Sequence, residues 1–105
     1  MPTAGPAQLL TVYLHEHDHY HHEPLHLVLL DRAHRAKLAG ITVLRGVAGF
    51  GKAGHVHAGL NEVLQADLPL VVQIVDSEEA IAAFLPTVRE LAPSKLVTLS
   101  PVVIP

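Results

Sequence analysis

Histidine is the residue type in this sequence with the clearest capacity for chemistry, because imidazole binds Zn²⁺, Cu²⁺ or Ni²⁺ without help from cysteine. The chain has nine histidines and no cysteine, and five of the histidines lie in residues 15–22. Side chains two residues apart on an extended chain project to the same side. We therefore expect that His15, His17 and His19 can converge on one divalent ion, with oxygen ligands from the carboxylates between them.

The same histidines have a second interpretation. Residues 15–23 are polar throughout and are typical of a surface loop, and histidine-rich loops often bind metal only adventitiously. His55 and His57 are also two residues apart, in a long connection where solvent exposure is the alternative. The sequence therefore leaves both a metal site and a solvated loop open.

A run of glycines forms the second candidate site. Gly46, Gly49 and Gly51 interrupt the end of an apolar segment. Glycines at such a position either form a β-bulge and a tight turn, or let backbone N–H groups approach a phosphate or a ribose. Arg45 precedes the first glycine and has two matching interpretations. It forms a surface ion pair, or it contacts an anion, for which the guanidinium group is well suited.

Composition restricts the class of function. The chain has 105 residues, enough for one domain, and is 50% hydrophobic but only 4% aromatic, which predicts an aliphatic core. A net charge of −3 argues against a nucleic-acid partner. No serine has a nucleophile-elbow context, and no carboxylate pair stands in apolar surroundings. We therefore expect a binding protein and not an enzyme.

The N-terminal residues and the lack of long apolar segments bear on location. No segment is apolar over the ~18 residues that span a bilayer, and residues 1–6 lack the basic and apolar parts of a signal peptide. The sequence predicts a cytoplasmic protein without direct membrane insertion. We expect a disordered tail over residues 1–7 and a single domain over residues 8–105.

Short apolar runs rich in strand-forming residues predict four strands, and apolar residues at helical spacing predict two helices. The strands are expected over residues 9–14, from 41 to about 50, over 70–75 and over 96–99, with 102–104 extending the last strand past a break at Pro101. The first helix is expected from Pro24 to near Lys37. The second is expected to begin at a capping-box pattern of Asp76 with Glu79, to kink at Pro86 and to end before Pro93.

The order of these elements is β-α-β-β-α-β, which predicts an α+β, ferredoxin-like sandwich with an antiparallel sheet and both helices on one face. The opposite sheet face is then bare and apolar, so we expect it to need a partner. Residues 52–68 form a long connection with weak periodicity, and long connections in small domains are commonly functional or mobile.

Several short stretches, in their order and spacing over residues 9–104, resemble the PII-like signalling proteins, specifically the DUF190 group. The most specific stretch is the run Leu44-Arg45-Gly46-Val47-Ala48-Gly49-Phe50-Gly51. The other matching stretches are Glu16 with Asp18, Pro24-Leu25, Ala39-Gly40 with Thr42-Val43, His57, Asp67-Leu68-Pro69, and Ile74-Val75-Asp76 with Glu79.

The resemblance implies a regulatory protein that assembles as a PII-like homotrimer by packing its sheets edge to edge. It implies an adenine nucleotide, with AMP or ADP favoured, bound in clefts between copies. A mobile loop, here about residues 51–68, is then expected to report the ligand state to a partner such as a membrane channel or transporter, fluoride-exporter-like proteins included. The site residues expected on this basis are Thr42, which would bond an adenine edge, with Arg45, Gly49, Phe50, Gly51 and Lys95.

Three departures from the family pattern also make predictions. Lys37 stands where the family usually has glycine, so we expect a left-handed backbone conformation at this lysine. The phosphate-binding region is reduced to residues 92–95, which leaves Lys95 as its only cation. The histidine run is not typical of the family, and it supports the alternative of a metal-binding module on the same fold. Phe50 also has the alternative of an ordinary core position.

Overall fold

A computed structural model describes residues 3–49 and 68–105. Over these residues the chain forms six strands and two helices. In order, they are β1 (Gly5–His15), β2 (His19–Tyr20), β3 (Glu23–Pro24), α1 (Leu25–Arg35), β4 (Gly40–Arg45), β5 (Pro69–Asp76), α2 (Glu78–Leu91) and β6 (Leu96–Ile104).

Strands β4, β5, β1 and β6 form an antiparallel sheet in that order. Alternate residues of the two central strands are buried, as expected when one sheet face is packed. Both helices contribute to the same core as this face, which confirms the ferredoxin-like arrangement. The core comprises Leu10, Val12 and Leu14 of β1, Leu70, Val72 and Ile74 of β5, Leu25, Val28, Leu29 and Ala33 of α1, Ile81, Phe84, Val88 and Leu91 of α2, and Ala92.

Helix α1 ends in a Schellman motif with a lysine at the position that normally holds glycine. The Lys37 N–H donates to the carbonyl of His34 at 3.0 Å, and the Leu38 N–H donates to that of Ala33 at 3.2 Å. These two bonds define the motif and place Lys37 in the left-handed region, with φ of 59°. The prediction for Lys37 is confirmed. Leu38 then packs against the core and turns the chain towards β4.

Helix α2 begins one residue later than its predicted capping box allows. Ser77 is the N-cap, and its hydroxyl accepts the Ala80 N–H at 3.1 Å. Asp76 is buried at the end of β5 and accepts N–H groups from Ala39 and Ser77. The capping role predicted for Asp76 is therefore wrong, because its carboxylate joins the start of α2 to the connection between α1 and β4. The helix continues through Pro86 to Leu91.

Three strand boundaries differ from the prediction. Strand β1 begins at Gly5, so residues 5–7 are paired with β6 and do not belong to a disordered tail. Strand β6 runs without a break to Ile104, since Pro101 lies on an edge strand, where proline is tolerated. Strand β4 ends at Arg45 and does not reach Phe50.

The predicted polar loop after β1 contains a short hairpin. Strands β2 and β3 pair around His21 and His22, which have φ of 48° and 74°. A two-residue type I′ turn requires positive φ at both central positions and usually contains Asn-Gly. Because histidine carries no such signal, the hairpin was not predicted.

The sheet face opposite the helices carries no charged residue among the described strand positions. Cross-strand partners share a face, and the register places Thr42, Gln73, Thr11 and Thr98 in one row across it. An apolar row of Leu44, Val71, Tyr13 and Leu96 lies beside them. Leu44, Tyr13 and Leu96 are each more than 40% exposed in one chain. Within the described ranges, neither helix has the length and hydrophobicity needed to cross a membrane.

Candidate functional site

The predicted basic residues lie at one end of the sheet, where β4 and β1 end and β5 and β6 begin. Arg45 pairs in register with Leu70 at the end of β4, and His15 pairs with Pro69 at the end of β1. Lys95 immediately precedes β6. The antiparallel order therefore brings Arg45 and Lys95 to the same end of the strands as the turn that follows β1. We refer to Glu16, Asp18, Arg45 and Lys95 together as the strand-end site.

Asp18 organises one half of the strand-end site. Its carboxylate accepts the His15 N–H at 2.7 Å and lies 2.9 Å from the Lys95 Nζ through each oxygen. Its backbone carbonyl accepts the Leu25 N–H at 2.9 Å, at the start of α1. Both side chains of the Asp18–Lys95 pair are mostly buried, at 21% and 23% exposure. The pair therefore joins the turn after β1 to the start of β6.

Glu16 occupies the other half and faces Arg45. The Arg45 Nε lies 2.8 Å from the Glu16 Oε2, but this buried oxygen accepts no hydrogen bond within residues 3–49 and 68–105. The contact is therefore an ion pair in which the N–H is not directed at the oxygen. Glu16 is held in place by its backbone, because its N–H donates to the Leu68 carbonyl at 2.7 Å. Of the two predicted roles of Arg45, the structure shows the surface ion pair.

Pro69 explains why glycine follows Arg45. The Gly46 N–H donates to the Pro69 carbonyl at 2.7 Å, and a Cβ at Gly46 would lie 2.7 Å from the Pro69 Cγ. Gly49 has φ of +155°, and a Cβ there would also contact the Pro69 ring. Glycine at residue 46 therefore permits the close approach of Pro69, and the positive φ at residue 49 also favours glycine. A cradle for phosphate at the same glycines stays a prediction.

Thr42 and Arg45, two further predicted nucleotide contacts, do not converge within one chain. Thr42 is exposed on the sheet face away from the helices. Arg45, three residues further along β4, has the opposite side-chain direction. Phe50 and Gly51 lie outside the described residues, as does most of the predicted loop of residues 51–68.

The histidines of the predicted metal site do not lie on one extended strand. His15 ends β1, His17 lies in a turn closed by a bond from the Asp18 N–H to the His15 carbonyl, and His19 begins β2. The expectation that alternation aligns them is therefore wrong. Among residues 3–49 and 68–105, no group of three metal-binding side chains is placed to hold an ion. Metal binding by His15, His17 and His19 in another arrangement stays a prediction.

Sequence reasoning did not identify Glu16 and Asp18 as the partners of the basic residues. In the sequence, these carboxylates indicate only possible oxygen ligands for a metal and one stretch of the family resemblance. Their pairing with Arg45 and Lys95 depends on the order of strands in the sheet.

Comparison with solved structures identifies the class of fold. The structure of CPII, described as a nitrogen regulatory PII-like protein from Thiomonas intermedia K12 bound to ADP, AMP and bicarbonate, matches with a TM-score of 0.68. The match covers 95% of this chain and 96% of that chain at 16% sequence identity. The chain therefore has the fold of the PII-like proteins.

Sequence comparison identifies the family. A UPF0166 protein of Aquifex aeolicus (strain VF5) is 35% identical over 82 residues, which cover 78% of each chain. A UPF0166 protein of Methanocaldococcus jannaschii is 31% identical over 85 residues, covering 81% of this chain and 78% of the relative. Residues 7–104 match the model of the family described as DUF190, Uncharacterized ACR, COG1993. The chain belongs to this family, as its sequence resemblance predicted.

Proposed function

We propose that this protein is a regulatory nucleotide sensor that binds AMP or ADP between the copies of a homotrimer. The observation that carries the proposal is the fold likeness to CPII, which is described bound to ADP and AMP. The ligand state is read out by the segment that follows β4, about residues 51–68, through contact with a partner such as a membrane channel or transporter. The protein acts by binding and does not catalyse a reaction.

The position of the basic residues supports a site for a phosphate-bearing ligand. Arg45 and Lys95 are distant in the sequence, and the fold places both at the same end of the strands. Guanidinium and ammonium groups are the usual protein partners of phosphate. Arg45 is 65% exposed and so remains accessible to a ligand, whereas the Lys95 amino group is occupied by Asp18.

The position of Thr42 supports a site between copies. Thr42 and Arg45 project from opposite faces of β4. A nucleotide that contacts both Thr42 and Arg45 then lies between two copies. It touches the open sheet face of one copy and the strand-end site of the other. An uncharged sheet face is suited to such packing, because burying it removes apolar area from water without burying a charge.

Isothermal titration calorimetry with AMP, ADP and ATP tests the nucleotide site. We expect at least one of the three to bind well below the millimolar range. Arg45→Gln should weaken that binding by about tenfold or more, since it removes a charge-assisted contact to phosphate. Thr42→Val, which keeps the side-chain shape and removes the hydroxyl, should weaken binding by about fivefold through loss of one hydrogen bond.

Arg35→Gln is the matched control. Arg35 is 73% exposed on α1 and pairs with Asp31, so this variant loses one surface cation away from the strand-end site. Its affinity should stay within about twofold of the wild type. If none of the three nucleotides binds below the millimolar range, the proposed function is wrong.

A further inference from the structure

The two ion pairs of the strand-end site are built differently. The Asp18–Lys95 pair is mostly buried, and the Asp18 carboxylate also accepts a backbone N–H. Arg45 is 65% exposed, and it meets Glu16 without a directed hydrogen bond. One pair is therefore part of the framework, and the other is a contact that can be exchanged at low cost.

The framework pair fixes the position of Glu16. Asp18 holds the turn after β1 through His15 and Leu25, and it joins this turn to β6 through Lys95. The Glu16 backbone N–H is bound to the Leu68 carbonyl. The main chain of Glu16 is thus held on both sides. Its carboxylate therefore lies beside Arg45 from a fixed backbone position, while the side-chain torsions leave it free to rotate away.

The Glu16 carboxylate is poorly satisfied in this position. Its Oε2 is buried and has no hydrogen-bond partner among the residues that the structure describes, and its Oε1 lies 3.7 Å from the His17 Nε2. A buried acceptor without a donor is unfavourable, while an ion pair with a mostly exposed arginine contributes little. The Glu16–Arg45 contact therefore contributes little to the stability of the free protein. Stability alone does not explain why a carboxylate lies beside Arg45.

We propose that Glu16 is an internal anion that competes with the ligand for Arg45 and so sets the affinity of the strand-end site. In the ligand-free chain its carboxylate occupies the place beside the guanidinium that a phosphate takes on binding. An incoming anion displaces the carboxylate from Arg45, while Asp18 and Lys95 keep the turn in place. This inference rests on the proposed function, since it describes how the same site is regulated.

The charge balance explains how this competition selects ligands. A weak or singly charged anion does not replace a carboxylate that is already in position, because it offers Arg45 no more than Glu16 does. A doubly charged phosphate forms shorter and stronger bidentate bonds with guanidinium. The Glu16 carboxylate thus keeps weak anions from binding Arg45, whereas phosphate-bearing ligands displace it.

The test measures the affinity for inorganic pyrophosphate and for ADP by calorimetry in Glu16→Gln. This variant keeps the side-chain shape and the backbone bond to Leu68, and it removes only the charge. We expect pyrophosphate and ADP each to bind about fivefold tighter than to the wild type, which is the effect of releasing a partly exposed ion pair. Adding Arg45→Gln to this variant should abolish the gain.

Asp31→Asn is the control for net charge. Asp31 pairs with Arg35 at 3.0 Å on α1 and is half exposed, so its loss changes the charge equally at a remote place. Affinities within about twofold of the wild type are expected for this control. A gain in Asp31→Asn equal to that in Glu16→Gln would overturn the inference, because the effect would then come from net charge alone.

The outcomes separate this inference from the proposed function. If ADP binds the wild type and Glu16→Gln equally, or binds the variant more weakly, the nucleotide function stands and the internal anion is wrong. If pyrophosphate binds tighter to Glu16→Gln while AMP, ADP and ATP all fail to bind below the millimolar range, the internal anion stands and the nucleotide function is wrong. If neither probe binds either protein, both are overturned.

Discussion

Asp76 and Lys37 illustrate how single residues in this chain serve contacts that their sequence neighbours do not suggest. Asp76 precedes a helix and has the sequence pattern of a cap, yet its carboxylate accepts the Ala39 N–H at 2.9 Å, 37 residues away. Lys37 lies at a helix end where its side chain makes no ion pair among the described contacts, and its backbone conformation is what matters. At the residue scale, a substitution is therefore costly where it strains a left-handed backbone, as at residue 37, or where it leaves a backbone N–H group without its acceptor, as at Asp76.

The strain at Lys37 leads to a prediction about stability. Lys37→Gly and Lys37→Ala remove the same charge, but only glycine adopts φ of 59° without a Cβ penalty. We expect Lys37→Gly to be more stable than Lys37→Ala by about 1 kcal/mol, since a left-handed conformation costs ~1–2 kcal/mol for a residue with a Cβ. Urea denaturation at one protein concentration measures the difference. Equal stability of the two variants would show that the helix end is not strained.

At the scale of elements, the end of β4 is set by its contact with the start of β5. The Gly46 N–H donates to the Pro69 carbonyl, and the Pro69 ring fills the space that a side chain at residue 46 would occupy. The short β2–β3 hairpin has a comparable local cause, because His21 and His22 supply its two positive φ angles. The elements of the strand-end site therefore meet through turns whose geometry is specified by steric contact and by backbone conformation.

Gly46→Ala tests the steric contact at the end of β4. A Cβ at residue 46 would lie 2.7 Å from the Pro69 Cγ, whereas a Cβ at Gly40, at the start of the same strand, meets nothing within 4 Å. We expect Gly46→Ala to reduce the free energy of unfolding by about 1–3 kcal/mol, as overpacking does. Gly40→Ala should not destabilise the protein. Thermal and urea denaturation of both variants measure this, and equal effects would contradict the close approach.

The whole molecule presents two unlike faces. One sheet face carries the helices and the core, and the other has no Asp, Glu, Lys or Arg among the described strand positions and bears an apolar row of partly exposed side chains. Large exposed apolar patches on small domains mark interaction sites. The proposed homotrimer places this second face against other copies, with Thr42, Gln73 and Thr98 supplying hydrogen bonds between them.

Charge placed on each face tests this assembly. Leu44 and Leu27 are almost equally exposed in one chain, at 48% and 49%, but Leu44 lies on the open sheet face and Leu27 on α1. Leu44→Glu should dissociate the trimer, because it buries three unpaired carboxylates together, while Leu27→Glu should leave it intact. Light scattering gives the masses. A monomeric wild-type protein at micromolar concentration, or a trimer of Leu44→Glu, would contradict the proposed packing.

The sequence by itself determined the two helices, the four strands of the main sheet and their order along the chain. Short apolar runs rich in strand-forming residues at 9–14 and 70–75 specified two central strands, and the spacing of Ile81, Phe84, Val88 and Leu91 specified a helix, because both patterns are local properties of the chain. The family also followed from short stretches whose order and spacing can be compared directly. The left-handed conformation of Lys37 followed from a substituted glycine.

The tertiary structure alone decided which charged groups meet. Lys95 and Asp18 are 77 residues apart, and they form an ion pair only because antiparallel pairing places the end of β1 beside the start of β6. Arg45 meets Glu16 for the same reason, through β5 between them. No local pattern encodes such a contact, since side-chain partners across a sheet depend on strand order and register. The basic residues were therefore predictable as candidates, and their carboxylate partners were not.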